Sequence, residues 1–220
     1  MINIAIDGPA GAGKSTIAKT VSKNLGYIYV DTGALYRTIG LNVLRQGKDT
    51  KKPDEVVSTL ADVKVSLRFV DGEQRVFLGE EDVSEAIRQN EVSMAASNVS
   101  SIPAVREFLF DLQRNIASEN NCIMDGRDIG TVVLPDAKIK IYLTASAEAR
   151  ADRRFKELTE KGQNVDYNVI LEEIKKRDYQ DMNREIAPLK KADDAVLVDT
   201  TELNLQESID YMVKVIKERL

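Results

Sequence analysis

The residues best equipped for chemistry lie close to the N-terminus. Gly8-Pro9-Ala10-Gly11-Ala12-Gly13-Lys14-Ser15 satisfies the pattern G-x-x-x-x-G-K-[ST] at every fixed position. Glycines let the backbone curl so that successive N–H groups point inward around phosphate oxygens. A following helix aims its N-terminal amides and dipole at the same anion. Lys14 can then reach the β- and γ-phosphates, and Ser15 can ligate Mg²⁺. At ordinary residue frequencies a chance match in a chain of this length is roughly one in a hundred, so the motif implies a nucleoside triphosphate. It does not name the acceptor.

A second group of residues could complete such a site. Arg37 follows Asp31-Thr32-Gly33-Ala34-Leu35-Tyr36, Arg106 follows Pro103, and Arg127 lies within Asp125-Gly126-Arg127-Asp128. In an open parallel sheet, ligands bind beyond the C-terminal ends of the strands. That places the Gly-rich loop, Asp31 and Asp125 on one edge and Arg127 beside the phosphates. Asp125 suits two roles: holding Mg²⁺ directly or through water, or capping a turn. Arg150, Arg153 and Arg154 share one helical face, as do Arg177, Asp181 and Arg184. Such runs read either as a solvated charged face or as a lid bringing arginines over the γ-phosphate. A loose phosphoryl-transfer transition state is stabilised mainly by positioning and positive charge.

Short apolar runs that end in carboxylates must position these groups. Ile2–Ile6 reads as a buried strand. A helix is predicted over 14–25 with Gly26 as its stop. A strand over 27–30 ends at Asp31, and a helix follows over 34–45. Val63, Val65, Leu67 and Phe69 alternate with polar residues, Asp71-Gly72 reads as a hairpin turn and 75–78 as the return strand. We therefore expect a small antiparallel insert over 48–86. A helical pattern occupies 83–100, and Pro103 suits the first turn of the next helix. Strands are expected at 122–124, 139–143 and 195–198. Helices are expected at 147–161 (stopped by Gly162), at 167–184 and at the C-terminus, where Leu205, Ile209, Met212, Val213 and Ile216 mark one face. Strands alternating with helices predict an α/β fold with a parallel sheet.

Composition narrows the chemistry. The chain has 220 residues, no histidine, one cysteine and a net charge of −5. The absence of histidine removes Ser-His-Asp and Cys-His catalysis and His-ligated metals. Cys122 alone cannot form an intramolecular disulfide or a Cys-clustered zinc site. It reads as a buried structural thiol. The acidic balance disfavours general nucleic-acid binding. No stretch approaches the roughly 20 apolar residues of a membrane span, and the N-terminus lacks a signal-peptide pattern, so a cytoplasmic protein is expected.

Beyond the Gly-rich loop, the chain resembles the bacterial cytidylate kinases, nucleoside monophosphate kinases with a P-loop NTPase-type fold. Ile6–Thr16, Asp31–Arg37, Asp125-Gly126-Arg127-Asp128-Ile129-Gly130-Thr131-Val132-Val133, Arg177-Asp178, Asn183-Arg184 and Ala187-Pro188-Leu189 carry the resemblance, which spans essentially the whole chain. Related kinases often have Gly where Ser15 stands. The resemblance implies ATP binding by Gly8 through Ser15 and Thr16. It implies that Arg37, Arg127 and Arg184 hold the CMP 5′-phosphate, with Thr32 near the nucleotide. Ser97, Arg106 and Asp128 would read cytosine, and Arg177 and Asp181 the sugar hydroxyls. Arg153 would belong to the lid, and Lys14, Arg127, Arg153 and Arg184 would form the catalytic set. The implied division is a core of 1–47, 87–148 and 171–220, a monophosphate-binding insert of 48–86 and a lid of 149–170, in a monomer.

The expected reaction is γ-phosphoryl transfer from MgATP to CMP or dCMP. Alternatives are UMP or an alcohol acceptor, the latter with Asp128 as base. A GTPase-type switch would carry an N-K-x-D segment, which the sequence lacks.

Overall fold

A computed structural model describes residues 1–70 and 73–220. In chain order the elements are β1 (Asn3–Asp7), α1 (Lys14–Leu25), β2 (Ile28–Asp31), α2 (Thr32–Arg45), α3 (Pro53–Val57), β3 (Val65–Val70), β4 (Glu73–Leu78), β5 (Glu81–Asp82), α4 (Asn90–Val99), α5 (Pro103–Glu119), β6 (Cys122–Gly126), β7 (Ile139–Thr144), α6 (Ala147–Glu160), α7 (Tyr167–Asn183), β8 (Val196–Asp199) and α8 (Leu205–Lys217). Two sheets form, one in the order β2-β6-β1-β7-β8 and one in the order β3-β4-β5. β1 pairs with β7 and β7 with β8, both parallel, whereas the three-stranded sheet is antiparallel. This is the expected α/β architecture, a helix-flanked parallel sheet with a separate small antiparallel one.

The chain forms two compact units: Ile2–Tyr27 with Ile123–Leu220, and Met1 with Ile28–Cys122. In the former, Ile4, Ala5 and Ile6 of β1 have no exposed surface. Burial on both faces explains why β1 is an unbroken apolar run rather than an alternating one. Full burial of one such isoleucine stabilises the fold by about 1.5–3 kcal/mol. α1 ends as expected, with Gly26 left-handed at φ 68°. A residue with a Cβ pays for that conformation, and glycine does not. α8 begins at a capping box between Asn204 and Glu207, which satisfies two otherwise orphaned backbone groups.

In the other unit, Leu35, Ile39 and Val43 of α2 pack with Val99, Val105 and Leu109. Their four-residue spacing puts them on one helical face. The crossing of α2 and α4 is very close. A Cβ placed on Gly40 would lie 2.9 Å from Ala95 Cβ and 3.0 Å from Ala96 N. β3 and β4 pair from Val65↔Leu78 to Val70↔Glu73. The turn expected at Asp71-Gly72 lies outside the described residues.

Some boundaries differ from the expectations. α2 starts at Thr32 because Asp31 caps it, its side chain accepting from Ala34 N. The pattern over 83–100 divides into a single 3₁₀ turn at Ala86–Arg88 and α4. Ser84 is held in a turn instead, its N–H donating to Asp82 and its Oγ accepting from Val76 N. The short α3 is too brief for periodicity to reveal, although Pro53, Asp54 and Glu55 are good first-turn residues. Ile129–Val133 forms one wide helical turn, where β-branched residues would favour a strand. A buried carboxylate holds that turn, as described below.

Candidate active site

The loop after β1 is shaped by glycine. Gly11 and Gly13 are left-handed at φ 74° and 86°. A Cβ on Gly8 would fall 1.9 Å from the Leu143 carbonyl oxygen, so only glycine lets β1 leave the sheet beside β7. α1 then begins at Lys14, with Gly13 at its N-cap and no side chain closing the end. Its first amides remain directed at the loop. Lys14 is buried and its Nζ donates to the Pro9 carbonyl at 2.8 Å. Burial, together with the like charge of Arg127, pushes this ammonium down to about 7, against the pull of Asp125, Asp7 and Asp181. An arriving polyphosphate would supply the negative charge the lysine needs.

The loop after β6 is built from side chains. Asp125 is 3% exposed, and its Oδ2 accepts from Ser15 Oγ at 2.8 Å. This hydroxyl and carboxylate are hard oxygen donors, the type Mg²⁺ takes from protein when phosphates complete its shell. Among the described residues, no three acidic or thiol side chains gather into a dedicated metal cage. Arg127 Nε donates to Asp181 Oδ2 at 2.7 Å. Burial opposes the guanidinium charge, but Asp181, Asp125 and Asp7 outweigh it and hold the group above its ordinary range. For Asp181, burial works to raise the carboxyl, and Arg127, Arg177 and Arg184 together pull it below the ordinary range. Arg184 Nη2 lies 3.4 Å from Asp128 Oδ1, and its Nε donates to Ala187 O at 2.7 Å. Ala187 is left-handed at φ 47°, a conformation that costs a residue with a Cβ roughly 1–2 kcal/mol.

The sequence thus brings Lys14, Ser15, Asp125, Arg127, Asp128, Arg177, Asp181 and Arg184 into one charged cluster within a single unit. The helical arginines are placed differently from one another. Arg153 Nη2 donates to the Thr200 and Leu203 carbonyls, and Arg154 pairs with Glu157 at 3.0 Å. Arg150 is 4% exposed and braces the Gly-rich loop, with Nη1 donating to Ala10 O at 2.9 Å. Asp178 receives the same guanidinium through both of its oxygens. Neither the brace nor Asp178 is legible from helical spacing, which only places Arg150 on one face with Arg153 and Arg154.

In the other unit, Thr32 is buried at the start of α2. Arg37 Nη2 donates to Asp31 Oδ2 at 2.6 Å. Gln74 on β4 holds the Asp31 backbone, accepting from its N–H at 2.9 Å. Arg106 is 8% exposed, 5.7 Å from the Tyr36 ring centroid, and donates to Ser100 O at 3.3 Å. Ser97 is half-buried on α4. Gln74 is not legible in the sequence, and the stacking of Tyr36 with Arg106 is not either, because both depend on pairing across elements.

A Gly-rich phosphate loop on a central parallel strand, with a serine–carboxylate pair and clustered arginines, defines a P-loop nucleotide-binding protein of the phosphotransferase type. Residues 4–218 match the family described as Cytidylate kinase. A cytidylate kinase of Caldicellulosiruptor bescii is 53% identical, the match covering 100% of this chain and 99% of that protein. One of Caldicellulosiruptor saccharolyticus is 54% identical over 97% and 94% respectively. The crystal structure of an uncharacterized protein from Eubacterium ventriosum has the same fold, with a TM-score of 0.54 at 14% identity over the full length of both chains. The chain belongs to the cytidylate kinase family.

Proposed function

We propose that the protein transfers the γ-phosphoryl group of MgATP to CMP or dCMP, yielding CDP or dCDP and ADP. The observation that carries this reading is the full-length family match. The built phosphate loop, in which Lys14 and the Ser15–Asp125 pair stand together, supports it.

The nucleophile is an oxygen of the CMP phosphate. A phosphomonoester has its second pKa near about 6 and is mostly dianionic at pH 7. No general base is needed, which agrees with a chain lacking histidine. The acceptor oxygen forms a bond to the γ-phosphorus as the bond to the β–γ bridging oxygen breaks, and ADP leaves with that electron pair. Backbone N–H groups of Gly8 and of Ala10 through Thr16, with the Lys14 ammonium, hold the triphosphate in line. Mg²⁺, held by Ser15 Oγ and Asp125, would neutralise charge on the β- and γ-phosphates. Arg37, Arg127 and Arg184 hold the acceptor phosphate, with Thr32 beside the nucleotide. Ser97, Arg106 and Asp128 read the base: Asp128 accepts from the exocyclic amine, and Ser97 and Arg106 donate to N3 and O2. Arg177 and Asp181 hold the sugar hydroxyls. Arg153, on the lid of 149–170, would leave the Thr200 and Leu203 carbonyls it meets here to close over the phosphates, and 48–86 acts as the monophosphate-binding insert. The enzyme would work as a cytoplasmic monomer in pyrimidine nucleotide metabolism; among the described residues, no helix is long and apolar enough to cross a membrane.

The test is ADP formation from MgATP with CMP, dCMP, UMP, AMP, GMP or no acceptor. We expect strong turnover with CMP and dCMP, weaker turnover with UMP and almost none without an acceptor. Equal rates with and without monophosphates would overturn the assignment.

A further inference from the structure

Asp7 has no part in the mechanism above, yet it is 4% exposed at the end of β1, directly before the phosphate loop. Its side chain turns to the other loop. Oδ1 accepts from Ile129 N and Oδ2 from Gly130 N, each at 2.7 Å. Two successive amides pointing the same way form a small anion-binding concavity, and here a side chain of the protein itself fills it. The clamped residues directly follow Asp128. The Asp128 carbonyl is held in the same turn, accepting from Val132 N at 2.9 Å and Val133 N at 3.2 Å. Burial pushes the Asp7 carboxyl up to about 6, against the two amides that favour its charge. Space-filling alone would be served at lower cost by an apolar residue. Two donors need two acceptors on one short side chain, which a carboxylate has. Asparagine offers one acceptor and sets its NH₂ against the second N–H.

We propose that Asp7 is a positioning residue for acceptor recognition: by clamping the Ile129 and Gly130 amides it sets the backbone from which Asp128 reaches the base. This inference rests on the reading of Asp128 as a base-contacting residue. It makes the end of β1 serve both nucleotides, the donor through the backbone from Gly8 onward and the acceptor through the side chain of Asp7.

The test is steady-state kinetics with CMP and UMP on the full chain carrying Asp7→Asn, Asp128→Ala or both. For Asp7→Asn we expect KM for CMP to rise about tenfold and kcat to change less than about threefold. KM for ATP should stay within about twofold, and the CMP-over-UMP ratio of kcat/KM should fall about tenfold. In the double variant, Asp7→Asn should add almost nothing to the effect of Asp128→Ala on KM for CMP, as expected for groups acting through one another. A matching rise in KM for ATP, or additive effects, would overturn the inference. If Asp128→Ala leaves the CMP-over-UMP ratio unchanged, the base-reading role of Asp128 fails first. Should Asp7→Asn not fold, Gly130→Ala probes the same turn. A Cβ there would stand 3.2 Å from the Lys140 side chain and 3.4 Å from Asp7 Oδ2. It should raise KM for CMP with KM for ATP unmoved, and an unchanged KM for CMP would count against the clamp.

Discussion

The loops that follow β1 and β6 both gather charge, but they are made of different materials. The first is backbone: three glycines with unusual φ values and one buried lysine. The second is side chain: Asp125 at the end of β6, then Arg127 and Asp128, each met by a partner from elsewhere in the fold, Ser15, Asp181 and Arg184. A backbone cradle recognises phosphate, which every nucleoside triphosphate carries, so its motif is short and general. A loop that selects one acceptor, the role proposed for the second, needs directed side chains. Its specification is therefore spread over β1, α1 and α7.

This contrast can be broken most severely at Gly8. Gly8→Ala should abolish activity and sharply lower the melting temperature, because the new Cβ would strike the Leu143 carbonyl at 1.9 Å. Near-normal stability would show that the cradle tolerates side chains after all.

Arg127→Ala should reduce turnover at least about tenfold. It should also destabilise the fold by about 3 kcal/mol, because buried Asp181 loses the guanidinium that donates to it, with Arg177 and Arg184 left to balance its charge. Adding Asp181→Asn should recover part of the stability, read by denaturant unfolding, and none of the turnover. A single variant of full stability would mean that the second loop does not depend on its pairing.

A gentler probe is the protonation of Lys14, which burial holds near about 7 in the unliganded protein. At pH 8 most molecules then carry it neutral, and a triphosphate that restores its charge must draw in a proton. Calorimetry in buffers of different ionisation enthalpy should show uptake of about one proton at pH 8, absent in Lys14→Met. The same shift fixes a sign for folding. The unfolded state binds the extra proton between about 7 and 10.5, so this group's contribution to stability rises with pH across that window.

The smallest effect is expected at Cys122. Its thiol has no exposed surface, and burial pushes it up to about 12. Folded protein should resist thiol reagents at pH 8, and Cys122→Ala should leave KM for both nucleotides unchanged. Rapid labelling of the native chain would contradict this.

Much of the fold was legible because its signals are local. β1 is an apolar run, α1 has a glycine at each end, and β3 and β4 alternate. The phosphate loop was legible for the same reason, since its geometry is written in consecutive residues. The second loop yielded its residues but not their arrangement. Nothing adjacent in sequence ties Arg127 to Asp181, or Asp7 to Ile129 and Gly130, 122 and 123 residues apart. The helical turn at Ile129–Val133 was invisible because its residues favour strands, and a distant carboxylate overrides them. The brace made by Arg150 is not legible because spacing places a side chain on a face without saying whether that face meets solvent or the Ala10 carbonyl.

The contact of α2 with α4 bears on how this sequence can drift. With Ala95 Cβ and the Ala96 amide so near Gly40, no single replacement of that glycine is accommodated by moving a flexible side chain, because what it would meet is a methyl stub and backbone. Even a glycine at 95 would leave the amide in the way. Position 40 is thus closed to one-step change, and a lineage that altered it would first have to acquire a wider helix spacing from substitutions elsewhere. Among descendants of this chain, the two helices carrying Arg37 and Ser97 should therefore be inherited as a fixed pair, while exposed neighbours such as Met94 vary freely.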